Sequence, residues 1–307
     1  MGEDWVLNHV GLMVTNRNAA LRHFQSIGMG VSVGPQPLLP HEPGQGSLMY
    51  YRTLEGEPVT NTYATGGAHL FTDGESQIGD CQLECVAMKP GPGMFINEYL
   101  AKCGPGINHI CFNAPMVEED TQILLSKNCD LMFNAMVNGK TVENYLDTRL
   151  HGDLMISLRP PASDWENTWK ANNVSHPLVS DWTFIGVGIG VKCLDTSINY
   201  YARLGFDEVC EETFDDKTGI RSRTVKVGPL NFDFYEMTKE DSVYSDSMST
   251  RGDGVNDIAF TVDDLETEIS RLELLGVRVL ARSGDRRTAY IDTRAEGNIM
   301  TRLGTER

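Results

Sequence analysis

The sequence predicts an α+β fold built from four copies of one strand–helix–strand unit, two on either side of a linker. Four short apolar or β-branched stretches recur: Asn8-His9-Val10-Gly11-Leu12-Met13-Val14, Asn108-His109-Ile110-Cys111-Phe112, Ile185-Gly186-Val187-Gly188-Ile189-Gly190-Val191 and Asn256-Asp257-Ile258-Ala259-Phe260-Thr261-Val262. Each leads through a polar turn and a helix-like run to a residue type that closes helices in the left-handed conformation. The spacing is constant: His9 to Gly28, His109 to Asn128, Gly186 to Gly205 and Asp257 to Gly276 are each 19 positions apart. Such a fixed period is the mark of a repeated structural unit. Two of the four copies keep a histidine on the first strand.

The elements follow in order. Unit 1 reads as a helix over residues 16–26 and then a strand, Val31-Ser32-Val33. Unit 2 reads as a helix over 117–127 and then Leu131-Met132-Phe133. Unit 3 has a helix over 196–204 and then Phe206-Asp207-Glu208-Val209. In unit 4, Asp263-Asp264 stands where an N-cap belongs, Leu265, Ile269, Leu272 and Leu275 share a helical face, and Val277-Arg278-Val279-Leu280 is a strand. Later strands alternate, most clearly Cys81-Gln82-Leu83-Glu84-Cys85-Val86 and Leu154-Met155-Ile156-Ser157-Leu158.

Residues 160–181 break the pattern and are read as the linker. The division is residues 1–163 for units 1 and 2, 164–180 for the linker and 181–307 for units 3 and 4. Unit 1 is longest: about a hundred residues separate His9 from His109, against 71 from Gly186 to Asp257. Part of the excess lies in residues 34–46, which reads equally as a binding loop or a surface insertion.

Composition excludes several classes. A net charge of −17 over 307 residues argues against nucleic acid and anionic membrane surfaces. No apolar run reaches the ~20 residues of a membrane span. The seven cysteines include no close pair of the C-x-x-C type, and Met1-Gly2-Glu3-Asp4-Trp5 lacks the features of a secretory signal. The expectation is a cytoplasmic protein with reduced thiols, a monomer or homodimer, acting on a small molecule.

Repeated units with histidine on the first strand and a carboxylate on the last resemble the vicinal oxygen chelate superfamily. It includes glyoxalase I, methylmalonyl-CoA epimerase, extradiol dioxygenases and small antibiotic-resistance proteins. The resemblance spans nearly the whole chain and is closest, to the epimerase pattern, over Leu83-Glu84-Cys85, Phe95-Ile96-Asn97-Glu98-Tyr99-Leu100 and Gly104-Pro105-Gly106-Ile107-Asn108-His109-Ile110-Cys111-Phe112. It implies four βαβββ units paired into two glyoxalase-like domains, each closing a curved sheet. It also implies one divalent metal ion (Zn, Mn, Co, Ni or Fe(II)) on His9, Glu84 and His109. The family's usual fourth ligand aligns with Ser157. A further acid, on the second strand of unit 1 in the epimerases, falls near Met49. Both acids that move protons in the epimerases are thus missing by alignment. The C-terminal pair carries Gly186 and Asp257 where histidines belong, with Asp233 and Thr301 at the last-strand positions, and reads as degenerate.

The donor chemistry agrees. A single histidine on an apolar strand is ordinarily a hydrogen-bonded core residue. Two in one repeat register, with a carboxylate, suffice for a divalent first-row metal with positions left for substrate. Glu84, His69 and Tyr145 are the candidate catalytic groups. Tyr50 and Tyr51 also lie on strand-like segments. Arg149, His151 and Arg159 are candidates for meeting an anionic substrate or for a solvated rim. Three functions fit: an isomerase, epimerase or lyase acting next to a carbonyl; an Fe(II) ring-cleaving dioxygenase; and a non-catalytic small-molecule binding protein.

Overall fold

Alternation of apolar and polar residues builds two sheets, each with helices on its apolar face. The computed structural model describes residues 1–34, 47–52, 58–62, 71–72, 74–88 and 95–305. Unit 1 comprises β1 (Val6–Met13), α1 (Arg17–Ser26), β2 (Val31–Gly34), β3 (Ser47–Arg52), β4 (Pro58–Thr62), β5 (Phe71–Thr72), β6 (Glu75–Ile78), β7 (Cys81–Met88) and α2 (Phe95–Cys103). Unit 2 is β8 (Gly106–Asn113), α3 (Val117–Ser126), β9 (Asp130–Val137), β10 (Lys140–Asp147) and β11 (Met155–Arg159). Helix α4 (Asp164–Val174) follows. Unit 3 is β12 (Thr183–Gly190), α5 (Leu194–Leu204), β13 (Asp207–Asp215), β14 (Ile220–Val227), β15 (Leu230–Met237) and α6 (Ser245–Arg251). Unit 4 is β16 (Gly254–Thr261), α7 (Leu265–Leu274), β17 (Val279–Arg282), β18 (Thr288–Ile291) and β19 (Met300–Gly304).

The helix stops follow the sequence signals. Gly28, Asn128, Gly205 and Gly276 all take positive φ, at 68, 63, 96 and 82°. Asp264 caps α7 by accepting from the Thr267 amide. Helix α4 begins on Ser163, whose side chain accepts from the Glu166 amide. The pair forms the Ser-x-x-Glu capping signature, so an ordered helix stands where the sequence reading places only a linker.

Units 1 and 2 share an 11-stranded sheet in the order β2-β6-β7-β1-β8-β11-β10-β9-β3-β4, with β5 beside β7; units 3 and 4 share an 8-stranded sheet in the order β13-β14-β15-β12-β16-β19-β18-β17. The centres match. First strands pair antiparallel, β1 with β8 and β12 with β16, and each first strand runs parallel to the last strand of its own unit. The extra length of unit 1 includes the β3–β4 hairpin, which crosses to unit 2 and pairs with its edge strand β9, Met49 opposite Ala135. Met49 is therefore not on the unit 1 half of the sheet, where alignment puts it.

Side-chain alternation divides the labour. Val10, Leu12, Leu83, Cys85, Ile110, Phe112, Ile156 and Leu158 are buried in one core that also takes in Phe184, Phe232 and Phe260 of the second sheet. The intervening residues, including His9, Glu84, His109 and Ser157, face the other way. Among the described residues, no helix is long and apolar enough to cross a membrane.

Candidate metal centre

Three adjacent strands bring the donor atoms together. His9 Nε2 lies 3.0 Å from His109 Nε2 and 3.3 Å from Glu84 Oε2, and His109 Nε2 lies 3.9 Å from the same oxygen. Cross-strand register explains the convergence: Gly11 on β1 stands beside Glu84 of β7 and opposite His109 of β8. Register shifts between Leu7 and His9 and between Gly11 and Leu12 mark irregularities in β1, and such bulges re-aim side chains next to sites.

Each imidazole is oriented by the residue before it. His9 Nδ1 lies 2.7 Å from Asn8 Oδ1, and His109 Nδ1 2.7 Å from Asn108 Oδ1. The Asn8 amide is itself fixed, because its Nδ2 donates to Asn113 Oδ1 at 2.8 Å and Glu166 Oε1 at 2.9 Å. Its oxygen therefore faces His9, so Nδ1 carries the proton and Nε2 is a bare lone pair. Burial holds both imidazoles neutral: His9 is pushed well below the ordinary histidine range, and His109 down to about 3. Two imidazole nitrogens and a carboxylate oxygen thus converge on one point. Donors ~2.1 Å from one ion stand ~3.0 Å apart at right angles and ~3.4 Å apart on a tetrahedron. The observed separations bracket those values, so the residues fit a divalent ion.

Helix α4 supports this centre. Besides the Glu166 bond, Lys170 Nζ donates to the Asn8 carbonyl at 3.0 Å. The Ser163–Glu166 capping signature and the Glu166–Lys170 i,i+4 pair are legible signals of this helix that the sequence reading passes over.

Ser157 does not replace the fourth ligand by itself. Its hydroxyl donates to Glu143 Oε1 at 3.2 Å, and Glu143 lies on the neighbouring strand β10. Glu143 also contacts Cys111 and Tyr145, and Arg159 Nε stands 4.0 Å from its Oε2. Burial raises its carboxyl above the usual range, against the pull of Arg159 and these hydrogen bonds. On the other side, fully buried Glu75 of β6 stands opposite Glu84. Acidic side chains thus stand on strands to either side of the three donor strands, Glu75 on β6 and Glu143 on β10. His9, Cys111 and Glu143 form a second donor set within 4.8 Å. Burial, reinforced by Glu143, raises the Cys111 thiol well above its ordinary value and keeps it protonated, which makes this the weaker set.

The other candidates separate. Tyr145 stacks on His109 with ring centroids 4.4 Å apart; burial and then Glu143 and Glu84 push its hydroxyl well above the ordinary range. Arg159 is at the site and donates to Asn8 Oδ1 at 3.4 Å. Arg149 instead chelates Asp147, with both bonds at 2.7 Å, and His151 packs on Tyr200 of helix α5. His69 and the side chains of Met49, Tyr50 and Tyr51 lie outside the described residues.

The second sheet has the same register with different occupants. Gly188 stands beside Asp233 and opposite Asp257, so Asp233 answers to Glu84 and Asp257 to His109. Ala259 pairs with Arg302 as Cys111 pairs with Ser157. The residue answering to Ser157 is thus Arg302, not Thr301. Arg302 donates from Nε to Asp257 Oδ1 at 2.8 Å and from Nη2 to Asp233 Oδ2 at 2.5 Å. A guanidinium stands where the first sheet gathers His9, Glu84 and His109. Gly186 answers to His9; its φ is 150°, and a β-carbon there would meet the Asn231 carbonyl. No imidazole can be restored at that position without moving the backbone.

No family model and no curated protein matches the chain. Among solved structures, a variant of 4-hydroxymandelate synthase from Streptomyces coelicolor matches over 98% of this chain and 93% of its own, at 13% identity and a TM-score of 0.64. Methylmalonyl-CoA epimerase from Mycobacterium tuberculosis matches over 41% of this chain and 88% of its own, at 28% identity and a TM-score of 0.37. A hypothetical protein from Bacillus halodurans C-125 matches over 42% of this chain and 96% of its own, at 16% identity and a TM-score of 0.37. The fold is the two-domain vicinal oxygen chelate fold.

Proposed function

We propose that the chain is a metal-dependent isomerase, epimerase or lyase that moves a proton next to a carbonyl of a small oxygenated substrate. The observation that carries this reading is the order of acidic and donor groups across the sheet: Glu75 on β6, then Glu84, His9 and His109 on β7, β1 and β8, then Glu143 on β10. A carboxylate flanks the donor set on each side, which suits removal of a proton on one face of a carbon and its return on the other. A divalent ion held by His9, Glu84 and His109 would supply Lewis-acid polarisation of the substrate oxygens. Glu143, raised by burial, holds or releases its proton at Oε1 or Oε2, and Ser157 and Tyr145 orient it. Asn8, held by Asn113 and Glu166, keeps the His9 proton on Nδ1, away from the centre.

The test is exchange of the α-proton of carbonyl substrates in deuterated water, with protein reloaded with Co, Ni, Mn or Zn. Exchange is expected with the parent chain and is expected to fall roughly 100-fold or more in Glu143→Gln and Glu75→Gln with metal retained, the scale of acid–base catalysis. Exchange that survives both substitutions would remove the flanking acids from the reaction.

One observation favours a second reading, an Fe(II) ring-cleaving dioxygenase. The donor set is two histidines and one carboxylate, the facial triad of such oxygenases. Oxygen uptake with a catechol panel under Fe(II) distinguishes it from the first reading.

A further inference from the structure

Two glutamines on the donor face of the first sheet carry unmet hydrogen-bonding groups. In the β6–β7 ladder Glu75 stands opposite Glu84, and Gln77 opposite Gln82. Ile78, Cys81, Leu83 and Cys85 of the same strands belong to the core. Side chains two apart share a face, so Gln77 and Gln82 lie with Glu84 on the face that gathers the donors. Leu83 pairs with Val10 of β1, and Gln82 precedes that pairing on the His9 side. Along β7, Gln82 and Glu84 are two residues apart, about 6.6 Å.

Both glutamines are buried, Gln77 completely and Gln82 at 4% exposure. Gln77 Nε2 donates to the carbonyls of Gly79 at 2.8 Å and Cys81 at 3.2 Å. Those two acceptors fix which end of the amide is the nitrogen. Gln77 Oε1 is left with no hydrogen-bond partner among the described residues, and Gln82 Oε1 and Nε2 have none either. A buried polar atom left unpaired costs stability, and folds break this rule mostly at functional sites.

The unmet set is an acceptor, Gln77 Oε1, opposite an amide that donates and accepts. A hydroxyl also does both, so one hydroxyl can accept from Gln82 Nε2 and donate to Gln77 Oε1. The charged groups around this corner are Glu75, Asp80 and Glu84, with Lys170 beside Glu166 and Arg159. Acids outnumber bases, which disfavours a carboxylate in the hydroxyl's place.

We propose that Gln77 and Gln82 form a hydroxyl-reading subsite of the metal centre, bonding a neutral hydroxyl one or two carbons away from the end of the substrate seated over His9, Glu84 and His109. The subsite deepens the proposed function. It rests on the metal centre and not on the choice between proton transfer and ring cleavage.

The test is spectroscopic titration of the full chain loaded with Co(II), using hydroxamates that share one chelating end. Two pairs exchange a hydroxyl for a methyl: glycolohydroxamate against propionohydroxamate, and 3-hydroxypropionohydroxamate against butyrohydroxamate. Malonohydroxamate puts a carboxylate in the same place. The hydroxyl member of at least one pair is expected to bind about tenfold or more tighter than its methyl partner. Gln82→Met, close in shape, is expected to erase that preference and to retain Co(II). It is also expected not to lower the melting temperature, because it removes an unpaired buried amide. The subsite is overturned by equal binding within both pairs, by a preference that survives Gln82→Met, or by malonohydroxamate binding tighter than the hydroxyl probes. A Gln82→Met protein that melts lower or fails to fold also overturns it, since the amide would then be satisfied within the protein. A parent chain that takes up no Co(II), or whose spectrum responds to no hydroxamate, fails at the metal centre itself and overturns the subsite with it.

Discussion

Gly11 faces His109 across the β1–β8 ladder, and a β-carbon at Gly11 would fall within the imidazole. Gly188 faces Asp257 in the same way across β12–β16. In both sheets the missing side chain lets the opposing residue lie across the central strand and reach the middle of the concave face. Gly11→Ala is therefore expected to displace His109, costing about 1–3 kcal/mol of stability through overpacking and lowering metal content well below one equivalent. Metal analysis with circular dichroism checks it; full metal content in the Gly11→Ala protein would contradict the packing argument.

Asn8 holds the His9 tautomer and is held in turn by Asn113 and Glu166. Removing the partner of a ligating histidine costs roughly 10–100-fold in metal affinity. Asn8→Ala is expected to weaken binding on that scale, and Glu166→Ala by less, since Asn113 still anchors the amide. Competition titration with a chromophoric chelator measures both. Equal affinity in all three proteins would show that the amide does not set the ring.

Both site histidines sit below their unfolded value near 6.5, His109 at about 3, because burial disfavours the charged ring. As pH falls through 6.5, the unfolded chain binds protons before the folded one. Stability of the metal-free protein is therefore complete above 6.5 and declines as pH falls toward 3, by up to about 1.4 kcal/mol per pH unit for each histidine. Thermal melts of chelator-treated protein from pH 7 to 5 are expected to show this slope, and His109→Gln to flatten it. Parallel slopes in the two proteins would place the acid sensitivity elsewhere.

Phe112 joins the two domains. Its ring packs on Trp5 at 5.4 Å, Trp5 meets Phe206 of the second domain at 6.0 Å, and Gly228 closes over Phe112. Phe112→Ala is expected to cost about 3–5 kcal/mol and to lower a single calorimetric transition, because one core spans both sheets. Two separate transitions in the parent protein would show that the domains unfold independently.

Much of the centre was legible in the chain. His9 and His109 share a repeat register, and Glu84 stands in an alternating strand, so one residue per strand reaches one face. Glu143 and Glu75 were not legible as site residues. Glu143 lies one strand away from Ser157, the position an alignment inspects, and Glu75 lies on β6, far across the sheet from Met49 on β3; strand neighbours are only ~5 Å apart across a ladder. An acid can change strands and still reach the same point in space. The β3–β4 hairpin escaped for a related reason: nothing local in residues 47–62 says that their partner is β9 of the next unit.

Helix period, strand alternation and left-handed stops at Gly28, Asn128, Gly205 and Gly276 are properties of neighbouring residues, so the sequence by itself determined the four units, their order and the two-histidine asymmetry. Which side chains meet across the curved sheets was decided only by tertiary register, because residues 46 to 107 positions apart become adjacent when the sheets form. That register put Glu143 behind Ser157 and helix α4 behind Asn8. It also put Arg302 between Asp233 and Asp257, giving the second domain a fixed organic cation where the first gathers two histidines and a glutamate.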